Sequence, residues 1–287
     1  VSRTVYVDGE YLPENEAKIS VFDRGFLFAD GIYEVSAVLN GRLIDNDLHL
    51  ARLERSVREI LIPMPLTVAD IAEIQAELIR RNDLLEGVVY LQVTRGTADR
   101  DFGFAEDMKP TFVAFTQAKT LRDTASVKNG VAVAIMDDTR WARRDIKTVM
   151  LLAQVLAKKS ARSAGFHEAW LVEDGCITEG ASSTAYIITS DGALVVRPNS
   201  HAVLPGCTRQ AVLKIASEQG LRIEERLFTV AEAHEAREAF LTSASSLVTP
   251  VIKIADRVVG DGTPGPITRR LQTIYLELAL AQPSVLP

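Results

Sequence analysis

Three short segments carry side chains that could serve one organic cofactor: Asp145-Ile146-Lys147-Thr148, Ile177-Thr178-Glu179-Gly180-Ala181-Ser182-Ser183 and Leu204-Pro205-Gly206-Cys207-Thr208-Arg209. The first offers an amine, the second a carboxylate, the third an anion site. Lys147 leads into the apolar run Val149-Met150-Leu151-Leu152-Ala153, which predicts a place at the edge of the core. Desolvation there favours the neutral, nucleophilic amine. In the third segment Pro205-Gly206 reads as a turn, Thr208 as an N-cap, and Arg209 to Gln219 as a helix stopped by Gly220. The N–H groups at such a helix start suit a phosphate, with the Thr208 hydroxyl beside them.

Alone, each segment has an ordinary reading. A lysine before a helix is commonly a solvated charge, a glutamate after a strand is commonly a cap or surface residue, and a Pro-Gly turn commonly opens a plain capped helix. In combination they meet three needs of pyridoxal phosphate. An amine holds the aldehyde, a carboxylate keeps the ring nitrogen protonated, and an anion site takes the phosphate.

On these residues, and on four further blocks, the chain resembles the D-amino-acid aminotransferase branch of the fold-type IV pyridoxal-phosphate enzymes. The additional blocks are Phe22 to Val35 (FDRGFLFADGIYEV), His49 to Leu53 (HLARL), Tyr90 to Arg100 (YLQVTRGTADR) and Leu241 to Ser246 (LTSASS). The resemblance spans nearly the whole chain. It implies that Lys147 binds the cofactor aldehyde and moves the proton at the substrate α-carbon, and that Glu179 lies at the ring nitrogen. It implies that Arg52 binds the phosphate, with Cys207 and Thr208 supplying a backbone N–H and a hydroxyl. Ser183, Leu204, Gly206, Ser243 and Ala244 fall at the cofactor, and Tyr33, Arg100, Phe102 and Ser243 at the substrate. Arg100 matches an arginine that holds the substrate carboxylate from the neighbouring subunit, which makes a homodimer the expected catalytic unit. The small-molecule partners implied are an amino donor and a 2-oxo acid.

Two positions depart from that pattern. Phe102 stands where many members have a histidine, and an aromatic hydrocarbon ring cannot supply its hydrogen bond. Ala244 stands where relatives often have a hydroxyl residue at the phosphate, leaving Ser243, Ser245 and local N–H groups to take over. The more apolar pocket implied by Phe102 makes an R-selective amine transaminase the second reading. A branched-chain L-amino-acid aminotransferase or an aminodeoxychorismate lyase shares the cofactor machinery, but GIYEV and Arg100 match the D-amino-acid branch better. A non-catalytic binder on the same fold would be expected to lack Lys147.

Read without the resemblance, the first-half residues keep ordinary roles open. Arg52 lies on an amphipathic helical pattern over Asp47 to Leu61, with Leu50, Leu53, Val57, Ile60 and Leu61 apolar, and its polar side could be solvated. Tyr33 falls in the strand-like Ile32 to Val38, where a tyrosine packs by default. Arg100 falls in a loop between Asp99 and Asp101, either of which could pair with it.

Asp8-Gly9, Asn40-Gly41, Asp174-Gly175 and Asp191-Gly192 mark hairpins between apolar runs, which predicts largely antiparallel sheets. Helical patterns occupy Asp47 to Leu61, Thr67 to Leu85 with Thr67 and Asp70 placed for a cap, Val149 to Ala164, Arg209 to Gln219 and Pro266 to Ala281. That mixture is an α+β fold, and no G-x-G-x-x-G follows a strand to suggest a dinucleotide fold. With 287 residues, two domains are expected: 1–118, a linker over 119–123, and 124–287. Tyr33, Arg52 and Arg100 then belong to the first domain and Lys147, Glu179 and Thr208 to the second, with the cofactor expected in a cleft between them.

A net charge of -6 argues against nucleic acid as a partner, and no run approaches the roughly 20 apolar residues of a membrane span. The opening residues lack a signal-peptide stretch, so the cytoplasm is the expected compartment. Cys176 and Cys207 form neither a disulfide framework nor a zinc pattern, and the four histidines show no metal-ligand spacing, so no metal is expected. Ser182 and Ser183 lack the G-x-S-x-G elbow of a serine hydrolase.

Overall fold

The computed structural model describes residues 2–286 and resolves into two compact units. Among the described residues the first comprises 2–120, 146–150 and 279–286, and the second 121–145 and 151–278.

The first unit holds β1 (Thr4–Val7), β2 (Glu10–Pro13), α1 (Arg24–Phe28), β3 (Gly31–Leu39), β4 (Arg42–Ile44), α2 (Asn46–Glu59), α3 (Val68–Arg81), β5 (Glu86–Thr94) and β6 (Thr111–Ala118). Its six strands form one antiparallel sheet in the order β2-β1-β6-β5-β3-β4. The hairpins turn where expected: Asp8 and Gly9, and Asn40 and Gly41, all have positive φ, the requirement of the tight turns that match strand twist. Thr67 caps α3 by accepting from Asp70 N, and the Asp70 side chain returns the bond to Thr67 N. Leu50, Leu53 and Val57 of α2 and Ile71, Leu78 and Ile79 of α3 are buried, the apolar stripe each helix turns inward.

The second unit holds α4 (Ala125–Asn129), β7 (Val131–Asp137), α5 (Leu152–Ser163), β8 (Glu168–Glu173), β9 (Cys176–Gly180), β10 (Thr184–Ile188), β11 (Leu194–Val196), α6 (Cys207–Glu218), β12 (Ile223–Glu225), α7 (Val230–His234), β13 (Glu238–Ser243), β14 (Leu247–Ile254), β15 (Arg257–Val258) and most of α8 (Pro266–Leu280). Its sheet runs β12-β11-β10-β13-β14-β7-β8-β9, with β15 on β14. Three pairings, β11 with β12, β14 with β7 and β7 with β8, are parallel. The β7-α5-β8 crossover allows one of them, because parallel neighbours need a long connection. Trp170, Ile187, Phe228 and Leu241 sit at the centre of this unit's core.

The structure departs from the sequence expectations at the lysine. Ile146–Met150 packs with the first unit, although a linear reading places Lys147 with the second. β4 covers β3 only along Ala37 to Leu39, so the Gly31 to Tyr33 end of β3 is open on that side. Tyr33 N donates to Lys147 O at 3.0 Å, Val149 N donates to Gly31 O at 3.0 Å, and Ile32 bridges Thr148. That pairing holds the backbone extended, so α5 begins at Leu152 and not at Val149. The apolar run does not enter the core either: Met150, Leu152, Val155 and Leu156 are exposed. The short helices α1, α4 and α7 are too brief to show a period in the sequence.

Gly31 is required where it stands. A Cβ there would meet Val93 O at 2.7 Å, inside the β3–β5 ladder. Gly31→Ala is therefore expected to lower the thermal unfolding midpoint, by the equivalent of about 1–3 kcal/mol, and to loosen the Lys147 segment. Calorimetry of the purified variant checks this.

Candidate active site

The first unit supplies an amine, an aromatic face and a buried ion triad. Lys147 is half-buried, and its Nζ stands 4.2 Å from the centroid of the Tyr33 ring. Among the described residues it has no ion pair or hydrogen bond at that amine, a state suited to a nucleophile. The Tyr33 ring stacks on Tyr90, which stacks on Phe115, and burial pushes the Tyr90 hydroxyl's pKa up.

Side chains alternate along β3, so Glu34 points opposite to Tyr33. There its carboxylate, fully buried, takes Arg52 Nε at 2.7 Å and Nη2 at 2.8 Å, and His49 Nδ1 at 2.8 Å. The solvated polar side considered for α2 is not found: His49 and Arg52, three residues apart on one helix face, are buried with Glu34. Burial alone would push the Glu34 carboxyl up; the Arg52 guanidinium, with help from His49, outweighs it and brings the pKa down to about 2.

The loop holding Arg100 and Phe102 is exposed. Arg100 has no pair with Asp99 or Asp101; its guanidinium lies 5.2 Å from the Phe28 ring centroid and 5.8 Å from that of Phe102. Phe102 is 80 % exposed.

The second unit supplies the carboxylate and the helix start. Glu179, at the end of β9, is 4 % exposed. Its Oε1 accepts from Arg140 Nη1 at 2.6 Å and from Leu204 N at 3.1 Å. Oε2 accepts nothing among the described residues, so one oxygen is anchored and the other remains available. Burial pushes the Glu179 carboxyl up against the opposing pull of Arg140 and the Leu204 N–H. Arg140 is itself held by Asp138, through Nε at 2.9 Å and Nη2 at 2.7 Å, and Thr178 Oγ1 donates to the same carboxylate.

Helix α6 starts one residue earlier than its expected cap. Gly206, in extended conformation, is the N-cap and takes Gln210 N, so Thr208 is the second helical residue. Cys207 and Thr208 are buried, and the amides of Cys207, Thr208 and Arg209 have no helical acceptor, as at any helix start. The other expected residues have partners of their own. Ser183 Oγ lies 3.5 Å from Glu168 Oε2, and Ser243 Oγ accepts from Ser246 N at 3.0 Å, which leaves its proton to donate. Ala244 follows Ser243 in that turn, half-buried.

Sequence reading singled out neither Glu34 and His49 nor Arg140 and Asp138. The first pair had a signal, since Glu34 alternates with Tyr33 and His49 precedes Arg52 by three. Arg140 lies 39 positions from Glu179 and had none.

Each unit by itself offers groups of the kind pyridoxal phosphate needs: in the first an unpaired amine, and in the second a buried carboxylate with one open oxygen and a helix start with a hydroxyl beside its amides. Comparison with known proteins places them in a lineage. The sequence profile of amino-transferase class IV matches residues 31–254. The chain belongs to the class IV aminotransferases. It is 39 % identical over 269 residues to a D-alanine aminotransferase of Staphylococcus haemolyticus, covering 93 % of this chain and 95 % of that one. It is 37 % identical over 278 residues to a D-alanine aminotransferase of Bacillus licheniformis, covering 97 % and 98 %. The fold matches a branched-chain amino acid aminotransferase of Escherichia coli with a TM-score of 0.92 at 22 % identity, over 97 % of this chain and 95 % of that one. A branched-chain aminotransferase of Thermoproteus uzoniensis matches with a TM-score of 0.88 at 25 % identity, over 98 % and 95 %. As a class IV aminotransferase the chain is a pyridoxal-phosphate-dependent enzyme, and the α+β fold-type IV architecture expected from its sequence is the one found.

The Glu34 triad gives this aminotransferase an acid limit. A carboxyl whose folded pKa is depressed stabilises the fold above its unfolded pKa and loses that contribution as pH falls through the folded value. For Glu34 the loss is expected between about pH 5 and pH 2, amounting to roughly 3 kcal/mol. Denaturant unfolding across that range checks it. Glu34→Gln should flatten the acid slope while lowering stability at neutral pH, because Arg52 then stays buried without its counter-charge.

Proposed function

We propose that the chain transfers the amino group of a D-amino acid such as D-alanine to a 2-oxo acid such as pyruvate or 2-oxoglutarate. The observation that carries the reading is the half-buried, unpaired Lys147 amine against the Tyr33 ring, in a chain whose D-alanine aminotransferase relatives align over more than nine-tenths of it. The branched-chain enzymes share the fold at lower identity, which supports the architecture and leaves the substrate to the D-alanine relatives.

Pyridoxal phosphate, when bound, supplies the electron sink that acidifies the substrate α-carbon. Lys147 would hold its aldehyde, and its amine would take and return the proton at the substrate α-carbon. Glu179 would pair with the ring nitrogen through its open carboxylate oxygen, since Arg140 and Leu204 N keep Oε1 fixed. The amides of Cys207 and Thr208, the Thr208 hydroxyl, Ser243 and Arg52 would hold the phosphate, and Gly206 and Ala244 would leave room for it. Ser183 and Leu204 brace the Glu179 side of the site. Tyr33, with Ser243, lines the substrate's place.

Arg100 takes the substrate carboxylate in a neighbouring subunit's site, so a homodimer is the working unit. Two observations support this part: Arg100 has no acidic partner among the described residues, and the adjoining segment exposes Ile19, Val21, Phe22 and Phe26. Phe26→Asp is expected to yield a monomer by light scattering and to lose turnover by at least about a hundredfold, as an incomplete site would. The cytoplasm is the proposed compartment, where the free thiols Cys176 and Cys207 stay reduced.

A second reading, an R-selective amine transaminase, is favoured by the exposed, non-hydrogen-bonding ring of Phe102. Mixing the purified yellow protein with D-alanine, L-leucine or (R)-1-phenylethylamine in the absence of an acceptor separates the readings. The D-amino-acid reading expects the visible band to bleach fastest with D-alanine. Faster bleaching with the amine would move the assignment to the second reading, and with L-leucine to the branched-chain enzymes. Glu179→Gln should keep the yellow colour yet transaminate at least about a hundredfold more slowly, since the anionic partner of the ring nitrogen is gone.

A further inference from the structure

The loop that carries Arg100 and Phe102 has no regular structure, yet its backbone is tied down at three consecutive carbonyls by one buried side chain. Arg24 of α1 donates Nη1 to Asp101 O at 2.6 Å and to Gly103 O at 3.2 Å, and Nη2 to Phe102 O at 3.4 Å. Its Nε donates to Asp30 Oδ2 at 2.8 Å. Asp30 also takes Arg95 Nε at 2.8 Å and Nη2 at 3.0 Å, and Arg95 in turn donates to Ile60 O at 2.7 Å and Leu61 O at 2.9 Å, just beyond α2. Arg24 and Arg95 are both buried.

Aromatic rings complete the clamp. Phe28 lies 4.7 Å from the Arg24 guanidinium and 5.2 Å from that of Arg100, and its ring is 5.5 Å from Phe102. Phe104 packs 3.7 Å from the Arg95 guanidinium. A fork of charge-assisted donors sets direction as well as attraction, so it restricts the loop more than apolar packing would. One guanidinium fixes the main chain on either side of Phe102, while one ring bears both Arg100 and Phe102.

We propose that Arg24 and Phe28 are positioning residues that set where Arg100 and Phe102 stand, and thereby govern discrimination between an amino donor bearing a carboxylate and a primary amine without one. The proposal rests on the reading of Arg100 as the carboxylate's partner. Neither residue touches the reacting atoms. Both act through the loop.

The test uses the holoenzyme with Arg24→Gln, comparing D-alanine with (R)-1-phenylethylamine. KM for D-alanine should rise at least about tenfold with kcat within about threefold of wild type, while the amine's kcat/KM changes less than about threefold. Hydrogen exchange at residues 97–104 should accelerate in the same variant, which a role in catalysis alone would not produce. Arg24→Lys retains the charge for Asp30 but cannot span three carbonyls, and should fall between. Where Arg24→Gln does not fold, Phe28→Leu keeps every Arg24 hydrogen bond and removes the ring under Arg100, and the same selective rise in KM is expected.

Proportional losses for both donors would overturn the proposal, as would an unchanged KM with the loop still protected. Arg100→Ala separates the two layers of argument. If it leaves KM for D-alanine unchanged while Arg24→Gln raises both KM and loop exchange, the carboxylate role of Arg100 fails and the positioning role stands.

Discussion

The open edge of β3 is the constraint on which the placement of the candidate amine depends. Because β4 stops short, the Gly31 to Tyr33 backbone has groups to share, and residues 147–149 take them through the bonds to Tyr33 N and Gly31 O. An unpaired strand edge is usually a liability. In this chain it is capped by the segment that carries the amine. The lysine's position is therefore set by main-chain pairing rather than by packing of its own flexible side chain, a more rigid way to hold a group that must be placed within fractions of an ångström.

The same strand organises the opposite face. Period-two alternation turns Tyr33 toward Lys147 and Glu34 toward α2, so a single strand presents the aromatic wall of the candidate site and fixes Arg52 from behind. In the second unit the logic repeats with different parts: Asp138 orients Arg140, and Arg140 orients Glu179. In both cases a buried carboxylate–guanidinium pair locks one end of a functional group. Apolar groups in place of the whole pair would stabilise the fold about as well, whereas breaking the pair is costly, so its distinctive contribution here is to define geometry.

Much of this was legible in the sequence where the signal was local. Asp8-Gly9 and Asn40-Gly41 dictate their turns by backbone conformation, and Thr67 with Asp70 dictates a capping box, whatever the rest of the chain does. Lys147, Glu179 and the Gly206-Cys207-Thr208 corner stood out by residue type and order. What was not legible depended on contacts distant in sequence. The apolar residues after Lys147 read as a core helix, yet pairing with β3 keeps the first of them extended and leaves Met150 and Leu152 exposed. Helical periodicity alone left open a solvated Arg52, because it cannot reveal a buried counter-ion on a neighbouring strand. Thr208 read as the cap because threonine favours that position, while Gly206 takes it through backbone conformation alone.

The central claim is that Lys147 is the amine that engages the cofactor. Borohydride reduction of the yellow protein, followed by proteolysis and mass spectrometry, tests it most directly. A phosphopyridoxyl group fixed on Lys147, and absent from every other lysine, is the predicted result. Label on a different lysine, or a yellow Lys147→Ala protein that still transaminates at the wild-type rate, would contradict the account.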